Sequence, residues 1–127
     1  MASIPQDLKY SEDHEWVLVD GGVATIGITH HAQDQLGDVV YLGDFPDTGS
    51  SIEQGDPVGV VESVKATSDI YAPISGSIVE INADLIESPE LVNSDPYGEG
   101  WIVRMKIQDT EELNDLLSHE AYEELLD

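Results

Sequence analysis

A chain of 127 residues, 40% apolar and 24% charged, can bury one hydrophobic core and is too short for two domains. Its 27 acidic residues face four basic ones, Lys9, Lys65, Arg104 and Lys106, for a formal net charge of −23. Phosphate backbones and anionic lipid are repelled by such a surface, so neither nucleic acid nor a membrane is an expected partner. The absence of cysteine excludes disulfides, protein thiolate nucleophiles and cysteine-ligated metal, and suits a reducing compartment.

The first residues, Met1 to Asp7, form neither a basic and apolar signal nor an Arg-rich import leader. No apolar run approaches the ~20 residues of a bilayer span. A cytoplasmic protein is expected, or a matrix protein if this is the mature form of an organellar one. Like charges at this density weaken the compact state, and salt screens them within ~8 Å at physiological strength, so stability should rise with salt.

Glu15-Trp16-Val17-Leu18-Val19, Asp20-Gly21-Gly22 and Val23 to Ile28 read as two strands joined by a tight turn. Thr29 is an N-cap for a short helix, His30 to Leu36, which Gly37 stops. Val39 to Leu42 is the next strand, followed by a loop from Asp44 to Ser51. Val58 to Val61 then runs to a bend at Lys65, Ile70 to Pro73 runs back, and Ser77 to Ile81 continues as a strand. Gly55-Asp56-Pro57-Val58 and Gly76-Ser77-Ile78-Val79 look alike, each a glycine turn feeding a strand, at similar distances on either side of Lys65. A flattened barrel of two similar halves about a hairpin would place them so.

Asn82 to Asn93 reads as one short helical turn and loop, and Asp95 to Gly100 as a turn. Trp101 to Ile107 alternates, with Trp101, Val103, Met105 and Ile107 on one face and Arg104 and Lys106 on the other. After Asp109 the period changes. Leu113, Leu116 and Leu117, then Tyr122, Leu125 and Leu126, predict two short amphipathic helices broken near Ser118.

Familiar catalytic patterns are missing: there is no phosphate loop, no nucleophile-elbow serine and no zinc-binding helix motif. Adjacent His30 and His31 point about 100° apart on a helix and would not share one ion, so no metal site is expected. Lys65 remains. It is either a solvated lysine that discourages edge pairing or an attachment point on a rigid pedestal. The small and apolar neighbours Ser63, Val64, Ala66 and Thr67 leave its stem accessible, and Pro73 and Gly76 fix the return strand.

The segment Glu62-Ser63-Val64-Lys65-Ala66-Thr67-Ser68-Asp69-Ile70-Tyr71-Ala72-Pro73-Ile74-Ser75-Gly76 closely resembles the lipoyl-attachment segment of glycine cleavage system H proteins. Tyr10 with His14-Glu15-Trp16, Thr25 to Thr29 with Ala32-Gln33, and Leu36 to Val40 resemble the same family in order. So do Leu91 to Tyr97 and Gly100-Trp101, so the likeness covers nearly the whole chain.

This resemblance implies a mainly β, flattened barrel-sandwich hybrid of the lipoyl/biotinyl-carrier type, with a short internal helix and C-terminal helices. Residues 1–127 would form a single lipoyl-carrier domain, with a core of about 10–108 and a helical tail of about 109–127. It implies a monomeric, non-catalytic carrier with lipoate in amide linkage on Lys65, within the attachment motif Glu62, Ser63, Val64 and Ala66. Losing that ammonium would take the formal charge from −23 to −24. A pyridoxal-phosphate-dependent glycine decarboxylase would load an aminomethyl group onto the arm. A tetrahydrofolate-dependent aminomethyltransferase would unload it, dihydrolipoamide dehydrogenase would reoxidise the dithiol, and a lipoate-attaching enzyme would install the arm.

In the same family the loaded arm folds into a surface cleft. By resemblance Glu15 and Asp69 belong there, with His14 nearby, and a carboxylate can hold the arm's amine as an ammonium. Asp13 departs from the smaller or less charged residue expected at its position. Three rivals differ at the lysine or in use: biotin carriers usually set methionine on both sides of it, where this chain has Val64 and Ala66. Lipoyl domains of 2-oxo acid dehydrogenases usually set Asp before it, where this chain has Val64. A lipoate-relay protein is the third.

Overall fold

The computed structural model describes residues 5–126. Among the described residues nine strands form two antiparallel sheets. The larger holds β1 (Lys9–Tyr10), β2 (Glu15–Asp20), β3 (Val23–Ile28), β9 (Val103–Ile107), β8 (Gly76–Ile81) and β5 (Ser51–Ile52), in that spatial order. The smaller holds β4 (Val39–Gly43), β6 (Pro57–Ser63) and β7 (Thr67–Tyr71). Inward-facing residues of both sheets, among them Ile26, Leu42, Val58, Val61, Ile70, Ile78, Val103 and Met105, are buried in one apolar cluster. The chain is therefore mainly β, an open barrel-sandwich with a few helices.

Local chemistry explains most elements. Gly21 and Gly22 both adopt positive φ, as the tight β2–β3 turn requires. α1 (His30–Leu36) starts where Thr29 Oγ1 accepts the Ala32 N–H at 3.2 Å and ends at Gly37, φ 77. α2 (Asp84–Glu87) and α3 (Leu91–Ser94) are single turns, where the sequence predicted one turn and a loop.

Three expectations need correction. The apparent repeat fails at its second glycine: Gly55 is a turn residue with φ 92, whereas Gly76 is itself the first residue of β8, paired with Ile107 and Ile52. Gly76 is there because a Cβ would collide with the Lys106 carbonyl. Trp101 does not share the face of Val103. Its N–H still bonds to Gly98 in the turn, and its ring instead carries the Arg104 guanidinium, 4.1 Å from its centroid. Ile102 is the buried residue that enters the sheet, its N–H donating to the Ile26 carbonyl at 2.8 Å.

The tail differs as well. Thr110–Asp115 is a 3-10 helix capped by Asp109, not an α-helix, and α4 (His119–Leu126) follows it. Leu113 and Leu116 pack on the main core, but Leu117 is drawn into a bridge with Tyr10, with N–H···O distances of 2.9 and 2.7 Å. The single leucine face therefore splits. α4 turns Tyr122 inward onto a second cluster of Leu8, Tyr10 and Trp16, while Leu125 stays exposed.

Candidate functional site

The hairpin between β6 and β7 closes without glycine or a positive-φ residue, so it lacks the usual primed-turn chemistry. Ser63 substitutes for it. Its Oγ accepts the N–H groups of Lys65 (3.2 Å) and Ala66 (3.1 Å) and donates to the Ala66 carbonyl (3.2 Å). Its backbone N–H donates to the same carbonyl at 2.8 Å, and Val64 N–H is tied to Asp38 at 3.1 Å. A serine hydroxyl bonding its own following backbone is a local turn former. These bonds brace the tip, which presents its side chains outward. Val64 is 67% exposed, Lys65 and Ala66 are exposed, and Lys65 makes no ion pair with any described residue. Glu62 is half-buried in β6, opposite Thr67 and beside Tyr41 of β4.

Below the lysine lies the end of α1. A Cβ on Gly37 would stand 3.0 Å from Lys65 Cε, so the bare glycine leaves room for the lysine's stem. Asn93 fixes this floor. Its amide donates to the Gly37 carbonyl and to Gln33 Oε1, and its oxygen accepts the Val39 N–H, all at 2.9 Å.

Beside the hairpin is a cleft of about 360 Å³. Ile28, Leu36, Val61 and Ile70 give it apolar walls, and Asp13, His14, Glu15, His31, Ser68 and Asp69 add polar ones. β7 leads from the lysine into it: no more than about 14 Å of extended chain separates Lys65 from Asp69. The structure thus brings His14, Glu15 and Asp69 to one cavity, close to the tip that carries Lys65, and Asp13 lines it too.

Glu15 is only 3% exposed. Its Oε1 accepts the Ser11 hydroxyl at 2.6 Å and its Oε2 the Tyr71 N–H at 3.4 Å. Burial is the main force on this carboxyl and pushes it up to about 7; nearby Asp13 adds to the rise, and the two hydrogen bonds oppose it. Such a group ionises readily when a cation arrives. His14 has a left-handed backbone, φ 68, and its ring lies 4.6 Å from that of His31. Burial first, and His31 second, lower its affinity for a proton, while Asp13 opposes them. Asp69 is exposed on β7. Among the described residues no group of three or more His, Asp or Glu could hold a metal ion.

Several supports of this site carry no local signal of that role. Ser11, His31 against His14 and Tyr122 from the tail are brought in by the fold alone, and Gly37, legible as a helix stop, is placed beneath the lysine only by the fold. Asn93 stood inside a motif of the resemblance, but nothing around it announced three hydrogen bonds to a floor 54–60 residues away.

The profile of the family described as glycine cleavage H-protein matches residues 8–127. The chain belongs to this family. It is 55% identical to the glycine cleavage system H protein of Carboxydothermus hydrogenoformans, over 100% of this chain and 97% of that one. With the glycine cleavage system H protein of Aeromonas salmonicida it shares 56% identity over 100% of this chain and 98% of the relative. Family likeness extends to three dimensions. The crystal structure of a glycine cleavage system H protein from Mycobacterium marinum superposes with a TM-score of 0.85 at 37% identity, covering 94% of this chain and 95% of that one. No described helix is long and apolar enough to cross a membrane.

Proposed function

We propose that this chain is the lipoyl carrier of the glycine cleavage system, a non-catalytic component that bears lipoate in amide linkage on Lys65. The observation that carries this reading is the placement of Lys65. Its ammonium, in no ion pair with a described residue, stands on a serine-braced tip, over a glycine floor, next to a cleft with apolar walls and acids. These residues fit the group. Gly37 and Asn93 leave a bed for the arm's stem, and Ile28, Leu36, Val61 and Ile70 suit its hydrocarbon and ring. Held on Lys65, lipoate would supply a disulfide that serves as both oxidant and acceptor, one sulfur taking the aminomethyl group and the other becoming a thiol; the chain has no thiol of its own for this role.

In this reading the protein's part is to present, shelter and release. Glu15 and Asp69, with His14 beside them, would hold the amine of the loaded arm as an ammonium, and the apolar walls would exclude water from it. Glu62, Ser63, Val64 and Ala66 form the surface read by the lipoate-attaching enzyme. The partners are the pyridoxal-phosphate-dependent glycine decarboxylase, the tetrahydrofolate-dependent aminomethyltransferase and dihydrolipoamide dehydrogenase, met by a cytoplasmic monomer. Residues 1–127 act as one carrier domain, with 109–127 as the tail that backs the cleft.

Intact mass after co-expression with a lipoate ligase tests the reading. A gain of one lipoyl group, lost in Lys65→Arg, is expected. No gain, or a biotin-sized one, rejects it.

A further inference from the structure

The C-terminal helix reaches the cleft through one side chain. Tyr122 is completely buried, and its ring stacks on Tyr10 with centroids 4.6 Å apart and planes 7° from parallel. Its hydroxyl lies 2.8 Å from His14 Nδ1 and 2.7 Å from Thr29 Oγ1. Thr29 Oγ1 already accepts the Ala32 N–H at the start of α1. One proton arrangement serves all of these buried groups: Thr29 donates to Tyr122, and Tyr122 donates to His14 Nδ1. In the reverse arrangement the Thr29 proton has no acceptor here. His14 is then a neutral imidazole with its proton on Nε2. The Tyr122 phenol, pushed up to about 12 mainly by burial, keeps its proton.

From this geometry we propose that Tyr122 is a positioning residue of the cleft, holding His14 as an uncharged wall beside Glu15 and Asp69. The inference rests on the carrier reading, and it explains why a helix at the far end of the chain is built against the cleft wall. His14 is faced by titratable groups from every side: Asp13 on its own turn, Glu15 on β2, His31 on α1, Asp69 across the cleft on β7, and Tyr122 on α4. The acids favour a charged ring. An imidazolium here would add a positive charge to the cleft that Glu15 and Asp69 line, and so oppose the ammonium of the loaded arm. Burial, His31 and the Tyr122 hydroxyl oppose that charge. The same hydroxyl, together with bonds from His14 N–H to Ser11 (3.2 Å) and from Thr29 N–H to the His14 carbonyl (3.0 Å), secures the left-handed backbone at residue 14.

Tyr122→Phe keeps the stack on Tyr10 and removes only the hydroxyl. In the unmodified protein, NMR titration of His14 should move upward by roughly half a pH unit or more, the worth of one hydrogen bond to the neutral ring. In lipoylated protein, with modification checked by intact mass, the loaded arm should lose its aminomethyl group several-fold faster. Thr29→Ser, which retains the hydroxyl chain, should behave as the native protein in both measurements. A native His14 titration in Tyr122→Phe overturns the proposal, as does a shifted titration with an unchanged arm lifetime. If the native chain takes no lipoate, the carrier reading fails on its own, and the His14 titration still decides whether Tyr122 governs that ring.

Discussion

The side chain of Lys65 lies over Gly37, so closely that a Cβ on the glycine would come within 3.0 Å of Lys65 Cε. The residue that ends α1 is therefore also the bed of the proposed arm. Gly37→Ala should act twice. Gly37 sits at φ 77, ψ −154, a region essentially reserved for glycine, so a side chain there costs about 1–3 kcal/mol of stability, and the added methyl displaces the lysine. The expected result is a lower melting temperature and slower lipoylation. Unchanged lipoylation kinetics, measured by intact mass over time, would show that the stem does not use this bed.

Ser63 braces the tip with three hydrogen bonds in an exposed turn. Exposed bonds contribute little to global stability, so Ser63→Ala should cost under ~1 kcal/mol in urea unfolding. The tip should loosen all the same. Amide exchange at Lys65 and Ala66 should accelerate, and modification by the ligase should slow. Native exchange at both amides would remove Ser63 from this role.

Glu15 makes stability depend on pH. Its carboxyl is raised from an ordinary 4.5 to about 7, so the folded chain holds this proton more tightly than the unfolded one. The stability it contributes is complete below pH 4.5 and is lost as pH rises through 7. Glu15→Gln removes the titration while keeping an acceptor for Ser11 or Tyr71. Relative to the native protein the variant should gain on the order of 1–3 kcal/mol between pH 5 and pH 8. Urea unfolding at both pH values checks this, and an equal difference at the two would refute the assignment.

Glu112 ties the tail to the sheet. Its Oε1 accepts the Ser75 N–H at 2.7 Å and its Oε2 the Ser75 hydroxyl at 2.8 Å, joining the 3-10 helix to the turn before β8. Glu112→Ala should cost about 1–3 kcal/mol, because charge-assisted bonds are the stronger kind. Protection of the Thr110–Asp115 amides should fall first. If hydrogen exchange there stays native, the 3-10 helix is held without Glu112, by the packing of Leu113 and Leu116.

The net charge of −23 makes salt a stabiliser. Raising NaCl from 0.01 M to 1 M shortens screening from ~30 to ~3 Å. The melting temperature should climb by several degrees over that range. A flat or falling curve would mean the acids are spaced or paired well enough not to strain the fold.

Lys65 could be singled out from sequence because its signal is local: a rare cation between two apolar runs at a bend. The β2–β3 hairpin and α1 with its Thr29 and Gly37 caps were legible for the same reason. Trp101 and Leu117 depart from their periodicity because long-range packing overrides it: Trp101, its N–H still held by Gly98, packs against the cluster of Leu8, Tyr10, Trp16 and Tyr122, and Leu117 pairs with Tyr10. Propensity reports what a segment can do alone, and these segments were not alone.

By itself, then, the sequence determined the strand-rich pattern, the exposed lysine, its flanking residues and the strength of the acidic charge. Motif likeness also pointed to His14, Glu15 and Asp69, without saying what environment each would have. Only the tertiary structure decided that. Folding β2 beneath Ser11 and Tyr71 buried Glu15 and moved its carboxyl toward neutrality. Docking α4 on Tyr10 carried the Tyr122 hydroxyl across 108 residues of chain to the His14 ring. Burial and hydrogen-bond partners set the charge of a side chain, and both are assembled from residues far apart in sequence.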